Sequence, residues 1–435
     1  MDDLPRELVC AIFGQVDVCT LPILRCVSVS WSALLHRRPT KRRQQRDRGI
    51  VDYALGLINR ERWALLEWLS DVVRVHDPYG AVEKATCNHA ARNGDLGRLQ
   101  ELAARGYRWD WNATLSAATY GHLHTLQWLR ANKCPWNHLV CERAALNEHY
   151  ELLRWAVDNG CPWNHRAVEH IAFSGRLDIL EWARANGCPW SKRVCARAAA
   201  GGHIAVLEWL QKNGCLWSKR TCAKAAGAGH LDILEWALKE GCLCRCGMLF
   251  ERAAKHNHMH VIEWLNAKGY IADDNACYGA AKGGHLAVLQ WMRRCDYPWD
   301  SKVCIVAARK GHLGVLQWAL ANGCPYDSWV YVSAAHNDHL DVLEWLHGAG
   351  YPWHNGACGS AAANGHFHVL KWLRANGCPW SAITCDHIIY HKRLDVLVWA
   401  RESGCPWTLA DHNKALDSND PHIAQWARTQ QPPSF

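Results

Sequence analysis

The chain has 435 residues, 49% of them apolar and 21% charged, with a formal net charge of +8. That balance excludes a disordered or collagen-like chain, and without a run of about 18 apolar residues no membrane-spanning helix is expected. The 22 cysteines raise the prospect of a disulfide scaffold, but the acidic start MDDLPREL lacks the basic and apolar stretches of a secretory signal. A reducing intracellular setting, cytoplasm or nucleus, is therefore expected.

Residues 1–36 have an apolar pattern of their own. Leu8, Ile12 and Phe13 share one helical face, and Leu21, Leu24, Val27, Trp31 and Leu34 continue at helical spacings. So short a stretch cannot enclose a core, which leaves its apolar side to meet another surface. In order and spacing, Leu4, Pro5, Glu7, Leu8, Ile12, Phe13, Leu21, Leu24, Val27 and Trp31 follow the pattern of an F-box, which this segment resembles. The resemblance implies binding to the Skp-type adaptor of a cullin-RING ubiquitin ligase. Leu4, Pro5, Leu8, Ile12, Phe13, Leu21, Leu24, Val27 and Trp31 would form the adaptor surface. A helical cap on the following array is the alternative.

Residues 37–49 form a basic linker, in which Arg37, Arg38, Lys41, Arg42, Arg43, Arg46 and Arg48 stand against Asp47 alone. Such a run can act in nuclear import or touch nucleic acid, although a solvated linker is the commoner role. Residues 50–85 read as a degenerate capping repeat, with Trp63, Leu66, Trp68 and Leu69 supplying one apolar helix face.

From 86 to 428 the chain keeps time with itself. Trp128, Trp155, Trp182, Trp209, Trp236, Trp264, Trp291, Trp318, Trp345, Trp372, Trp399 and Trp426 recur every 27 residues, with one step of 28. A fixed period of this length signals a solenoid whose units bury their apolar faces only by stacking. Between Trp182 and Trp209, Cys195, Ala198, Ala199 and Gly202 share one face of a first helix that begins near Ser191. Ile204, Val206, Leu207, Trp209 and Leu210 form the apolar face of a second helix, and Asn213-Gly214 stops it. A second tryptophan ladder lies eight residues after the first, at Trp109, Trp136, Trp163, Trp190, Trp217, Trp299, Trp353, Trp380 and Trp407. Both ladders are expected to be core, each buried ring adding roughly 4 to 6 kcal/mol of gross transfer energy.

The cysteines keep the same register. One set precedes Pro-Trp or its equivalent (Cys134, Cys161, Cys188, Cys215, Cys242, Cys324, Cys378, Cys405) and another opens the first helix (Cys87, Cys141, Cys195, Cys222, Cys277, Cys304, Cys358, Cys385). Equivalent cysteines of neighbouring units stand roughly 8 to 10 Å apart, beyond the roughly 7 Å that a disulfide tolerates, so a packing role is expected. Cys242, Cys244 and Cys246 lack a fourth clustered ligand, and no metal is expected. The recurring Gly-His pair (Gly202-His203, Gly229-His230, Gly284-His285, Gly311-His312 among others) supplies a left-handed turn and a histidine expected to cap the second helix.

The units resemble ankyrin repeats, as in Ala307-Ala308, Gly311-His312-Leu313, Val315-Leu316 and Asn322-Gly323. A 27-residue unit is shorter than the ankyrin length of about 33, which implies a β-hairpin finger that is shortened or absent. Residues 429–435, ending QQPPSF, are expected to be a disordered tail.

The fold class is therefore all-α: a short helical F-box followed by an ankyrin-like α-solenoid. On the first helices, Arg143, Arg166, Arg193, Arg197, Arg220, Lys224 and Arg252 would line an exposed basic stripe suited to an acidic target. No nucleophile with a distinct base, no phosphate loop and no isolated carboxylate pair is present, so neither catalysis nor a cofactor is expected. The reading that unites these features is a monomeric substrate-recognition adaptor of a Skp-cullin-F-box ligase. Its alternatives are a ligase-independent interaction scaffold and a nucleic-acid binder using the linker and the stripe, although nucleic acid is not the expected partner. The combination is similar to families of very large DNA viruses, which implies a host ligase and a host cell.

Overall fold

The computed structural model describes Ile58 and residues 80–430, apart from 192, 216–217, 242–245 and 382–383. The F-box, the basic linker, most of the capping repeat and the tail thus lie outside the described residues. Among the described residues there are 26 α-helices and no strand, from α1 (Ala81–Arg92) and α2 (Leu96–Ala104) to α25 (Leu409–Leu416) and α26 (Pro421–Thr429). They run in pairs, a first and a second helix per 27-residue unit, and among the described residues no hairpin finger intervenes. The described residues form two compact units, one running to Ile171 and including Asp178–Ser191, the other comprising Ala172–Leu177 and the described residues from Arg193 onward.

The start and stop of each pair are written in single residues. Asp110, Asn137 and Asp300 cap first helices, their side chains accepting from the amides of Asn112, Leu139 and Lys302. The Ser191 hydroxyl donates to Glu169 Oε1 at 2.6 Å, and the next first helix begins at Val194. At the end of a second helix, Asn213 donates from Nδ2 to the carbonyl of Trp209 at 2.8 Å. Gly214 then turns left-handed, and the amide of Cys215 reaches the carbonyl of Leu210 at 2.9 Å. That is a Schellman stop, and Asn132, Asn159, Asn186, Asn322 and Asn376 bond their own tryptophan carbonyls in the same way.

Packing follows from small residues on the first helix and aliphatic ones on the second. In the second unit, α9 (Val194–Gly201) buries Cys195, Ala198 and Ala199, and α10 (Ile204–Lys212) buries Val206, Leu207 and Leu210. Adjacent first helices approach so closely that a Cβ on Gly279 would strike the carbonyl of Glu251 on the preceding first helix.

The tryptophans differ from the expected core. Every member of the first ladder is half-buried, as are the described members of the second except Trp407, which is buried. The aliphatic side chains one turn away take the enclosed positions, while the indoles close the side of the pair. Several loop indoles meet the next second-helix indole edge-on: Trp109 with Trp128 at 5.6 Å, Trp136 with Trp155 at 5.9 Å, Trp299 with Trp318 at 5.9 Å, Trp407 with Trp426 at 5.7 Å. Guanidinium groups cover the outer faces, with Arg130 4.1 Å over Trp136, Arg293 4.4 Å over Trp299 and Arg374 4.6 Å over Trp380. The same arginines donate to the carbonyls of Cys134, Tyr297 and Cys378.

The ladder histidines do not cap their helices. His203, His258, His285 and His339 instead pair through Nε2 with carbonyls about 30 residues earlier, those of Phe173, Gly227, Lys255 and Arg309, at 3.0 to 3.1 Å. The imidazoles of His203, His258 and His339 thereby lie on the turn glycine of the preceding pair, as does that of His230: a Cβ on Gly202 would stand 2.7 Å from His230 Cε1. Gly202 itself has φ +85, so this position needs glycine twice over, for its left-handed backbone and for the ring resting on it. Where the histidine is replaced by Asp95 or Asp420, the carboxylate caps its own helix, accepting from Arg98 N or His422 N.

Candidate protein-interaction surface

The exposed side of the first helices carries most of the predicted basic residues, and the structure sorts them. In the first unit, Arg143 lies exposed on α5 (His138–Leu146), and Arg166 opens α7 (His165–Ser174). Arg166 is not a bare cation. It pairs with Glu142 at 3.5 Å, and that carboxylate, largely covered, also receives Nδ2 of Asn164.

In the second unit, Arg193 and Arg220 are exposed at equivalent positions around the starts of α9 and of α11 (Lys219–Ala228). Lys224 is exposed one turn along α11. Arg197, half-buried, lies 4.5 Å over the ring of Phe173, which itself is 43% exposed, so charge and aromatic surface are presented together. Arg252 is half-buried on α13 (Cys246–Lys255).

The cationic crowding extends beyond the predicted stripe. Lys255 is held below the usual lysine range, first by partial burial and then by the neighbouring charges of Lys282, Arg252 and Lys310, against which Glu251 works. Glu251 also lies 3.8 Å from Lys282. Lys255, Lys282 and Arg309 each stand three residues before a ladder histidine, at equivalent positions of α13, α15 (Asn275–Gly283) and α17 (Ser301–Lys310). Their 27-residue spacing was visible in the sequence, masked there by the glycine and valine that break the Arg197 slot. Lys302 is different, being tied to Asp300 at 2.8 Å and Asp274 at 3.3 Å.

Among the described residues no group of three or more histidine, cysteine, aspartate or glutamate side chains is placed to hold a metal ion, and no helix is long and apolar enough to cross a membrane. What the described face offers is area, charge and half-exposed rings. The adaptor-surface residues Leu4, Pro5, Leu8, Ile12, Phe13, Leu21, Leu24, Val27 and Trp31 lie outside the described residues.

These features define a helical repeat protein. Family models name its parts: one for the F-box domain matches residues 1–43, and one for ankyrin repeats (many copies) matches residues 331–374. The chain thus carries an F-box domain at its N-terminus and ankyrin repeats toward its C-terminus, the make-up of an F-box adaptor that binds other proteins. No curated protein matches it. Among solved structures it is similar to the pentatricopeptide repeat protein PPR10 from maize, at 12% identity and TM-score 0.33, over 98% of this chain and 77% of that one. PPR10 in complex with an 18-nt psaJ RNA element is similar at 12% identity and TM-score 0.30, over 98% and 80%. Likenesses at these TM-scores carry no inference about ligand.

Proposed function

We propose that the chain is the non-catalytic substrate-recognition subunit of a Skp-cullin-F-box ubiquitin ligase, working inside a cell as a monomer. The observation that carries this reading is the F-box match at residues 1–43 on the same chain as ankyrin repeats. The F-box would dock on a Skp-type adaptor through Leu4, Pro5, Leu8, Ile12, Phe13, Leu21, Leu24, Val27 and Trp31. That adaptor would in turn join a cullin, and the repeats would hold a target protein.

The target face follows from charge. Arg143 and Arg166 in the first unit, and Arg193, Arg197, Arg220, Lys224 and Arg252 in the second, present positive groups on first helices, and Lys255, Lys282 and Arg309 enlarge the second set. An acidic segment with an apolar side chain able to meet Phe173 fits that surface. If the chain is viral, as its resemblance implies, the ligase and the target are the host's.

The test is co-purification of the full chain with a Skp-type adaptor and a cullin from eukaryotic cells. Both should be recovered with the unmodified chain and lost with Leu8→Asp, a change on the F-box alone. If neither is recovered with the unmodified chain while the repeats remain folded, the ligase reading fails and a free-standing scaffold takes its place.

A further inference from the structure

The two cysteine ladders are not independent. Six of the eight loop cysteines (Cys161, Cys215, Cys242, Cys324, Cys378 and Cys405) fall 20 residues after a first-helix cysteine, and in the described pairs the fold brings the first-helix thiol up to its partner residue. Cys385 Sγ lies 3.2 Å from Cys405 Sγ. Cys141, Cys195 and Cys358 approach the carbonyls of Cys161, Cys215 and Cys378 at 4.0, 3.9 and 3.9 Å. Where one partner is tyrosine, the contact persists in another form, as Cys277 on the carbonyl of Tyr297 and the Tyr331 hydroxyl on the carbonyl of Tyr351. The spacing of equivalent cysteines argued against disulfides along either ladder, but it says nothing about pairs between the ladders. Cys222, in this same register, is disulfide-bonded.

We propose that these pairs are reversible dithiol–disulfide sites, with Cys195 and Cys215 the responsive pair and hydrogen peroxide the oxidant. Cys195 is buried on α9, whereas Cys215, in the loop after α10, is partly exposed. Cys195 Sγ points at the Cys215 carbonyl at 3.9 Å, and hydrogen bonding from Cys195 lowers the Cys215 thiol from 9.0 to about 7 despite its partial burial. The exposed member is the one a dissolved oxidant reaches first and the covered member is the one placed to resolve it, the division of labour a peroxide-reactive pair needs. Cys385 and Cys405, both enclosed, form a pair of the same kind that a dissolved oxidant reaches slowly.

The step balances as follows. The Cys215 thiolate attacks one peroxide oxygen and the O–O bond breaks. Cys215 becomes a sulfenic acid, and the released hydroxide takes up the proton that Cys215 gave. The Cys195 sulfur then attacks the sulfenic sulfur. An S–S bond forms, and the sulfenic hydroxyl leaves with the Cys195 proton as a second water. Two electrons pass from the thiol pair to the peroxide, and a small dithiol restores the pair by exchange. The bond would join the first helix to the end of the second within one pair, closing that repeat covalently while leaving its exposed basic face in place.

The test uses the full chain, reduced, treated with hydrogen peroxide, then alkylated and mapped as unreduced peptides. Cys195 and Cys215 should be recovered as one cross-linked peptide before Cys385 and Cys405 are, and dithiothreitol should separate them. Cys295, exposed and without a cysteine in register, reports that the oxidant acted. Cys195→Ala should leave a Cys215 sulfenic acid that dimedone traps. The proposal is overturned if Cys195 and Cys215 both stay alkylatable in the unmodified chain after Cys295 has been oxidised. It is equally overturned if Cys215 is found bonded to any cysteine other than Cys195.

Discussion

His258 and His312 show how much a repeated side chain can do that its helix does not need. Burial lowers both below the ordinary histidine value. Neighbouring imidazoles of the ladder add to this, His260, His230 and His285 for His258, and His285 and His339 with Lys310 for His312. Bonds to the carbonyls of Gly227 and Lys282 oppose the shift without cancelling it. A folded value below the unfolded one, near about 6.5, means that the unfolded chain takes up protons first as pH falls. The stability these rings contribute is complete above that value and is lost below it. The melting temperature should therefore drop between about pH 7.5 and about pH 5.5, and His258→Gln should flatten that dependence; a melting temperature that rises on acidification contradicts it. The Gly-His pair was plain in the sequence, but its partner was not. Spacing shows that a residue recurs, and only the stacked structure shows that its ring reaches the carbonyl of the preceding pair. The thiol pairs escaped for a related reason: each cysteine ladder was compared with itself, while the constant difference of 20 between ladders held the contact.

The helices themselves were legible almost to the residue. Helical spacing in Ile204–Leu210 and the Asn213-Gly214 stop predict a second helix that the structure places at Ile204–Lys212. What periodicity could not separate was enclosure from cover. Val206, Leu207 and Leu210 are 1%, 0% and 0% exposed, while Trp209 on the same helix is half-buried. An indole is too large to fit between closely spaced pairs, so the aliphatic residues take the interior and the ring lies across the seam. Full enclosure would make Trp209→Ala cost about 3 to 5 kcal/mol; a ring that keeps part of its surface in water should cost about 2 kcal/mol. Denaturant unfolding of the variant measures it, and a loss of more than about 4 kcal/mol would return the ladder to the core.

An array of this kind has no single core to lose. Stability in a stacked repeat protein is a sum over units and their nearest-neighbour interfaces, and the histidine bonds, the indole contacts and the thiol pairs described above all act within a pair or between adjacent pairs. Destabilising one pair should therefore open that neighbourhood and leave distant pairs folded. Gly202→Ala provides the perturbation. The new methyl meets a left-handed backbone at φ +85 and the His230 ring at 2.7 Å, a double conflict that should exceed about 1 kcal/mol. Because a tryptophan recurs in nearly every pair, fluorescence reports on the whole array in proportion to the number of pairs that have opened. The variant should unfold with an early phase carrying a minority of the fluorescence change, followed by a main phase close to that of the unmodified chain. A single transition shifted as a whole would mean that the interfaces between pairs outweigh the pairs, and that strain at one turn is felt across the entire stack.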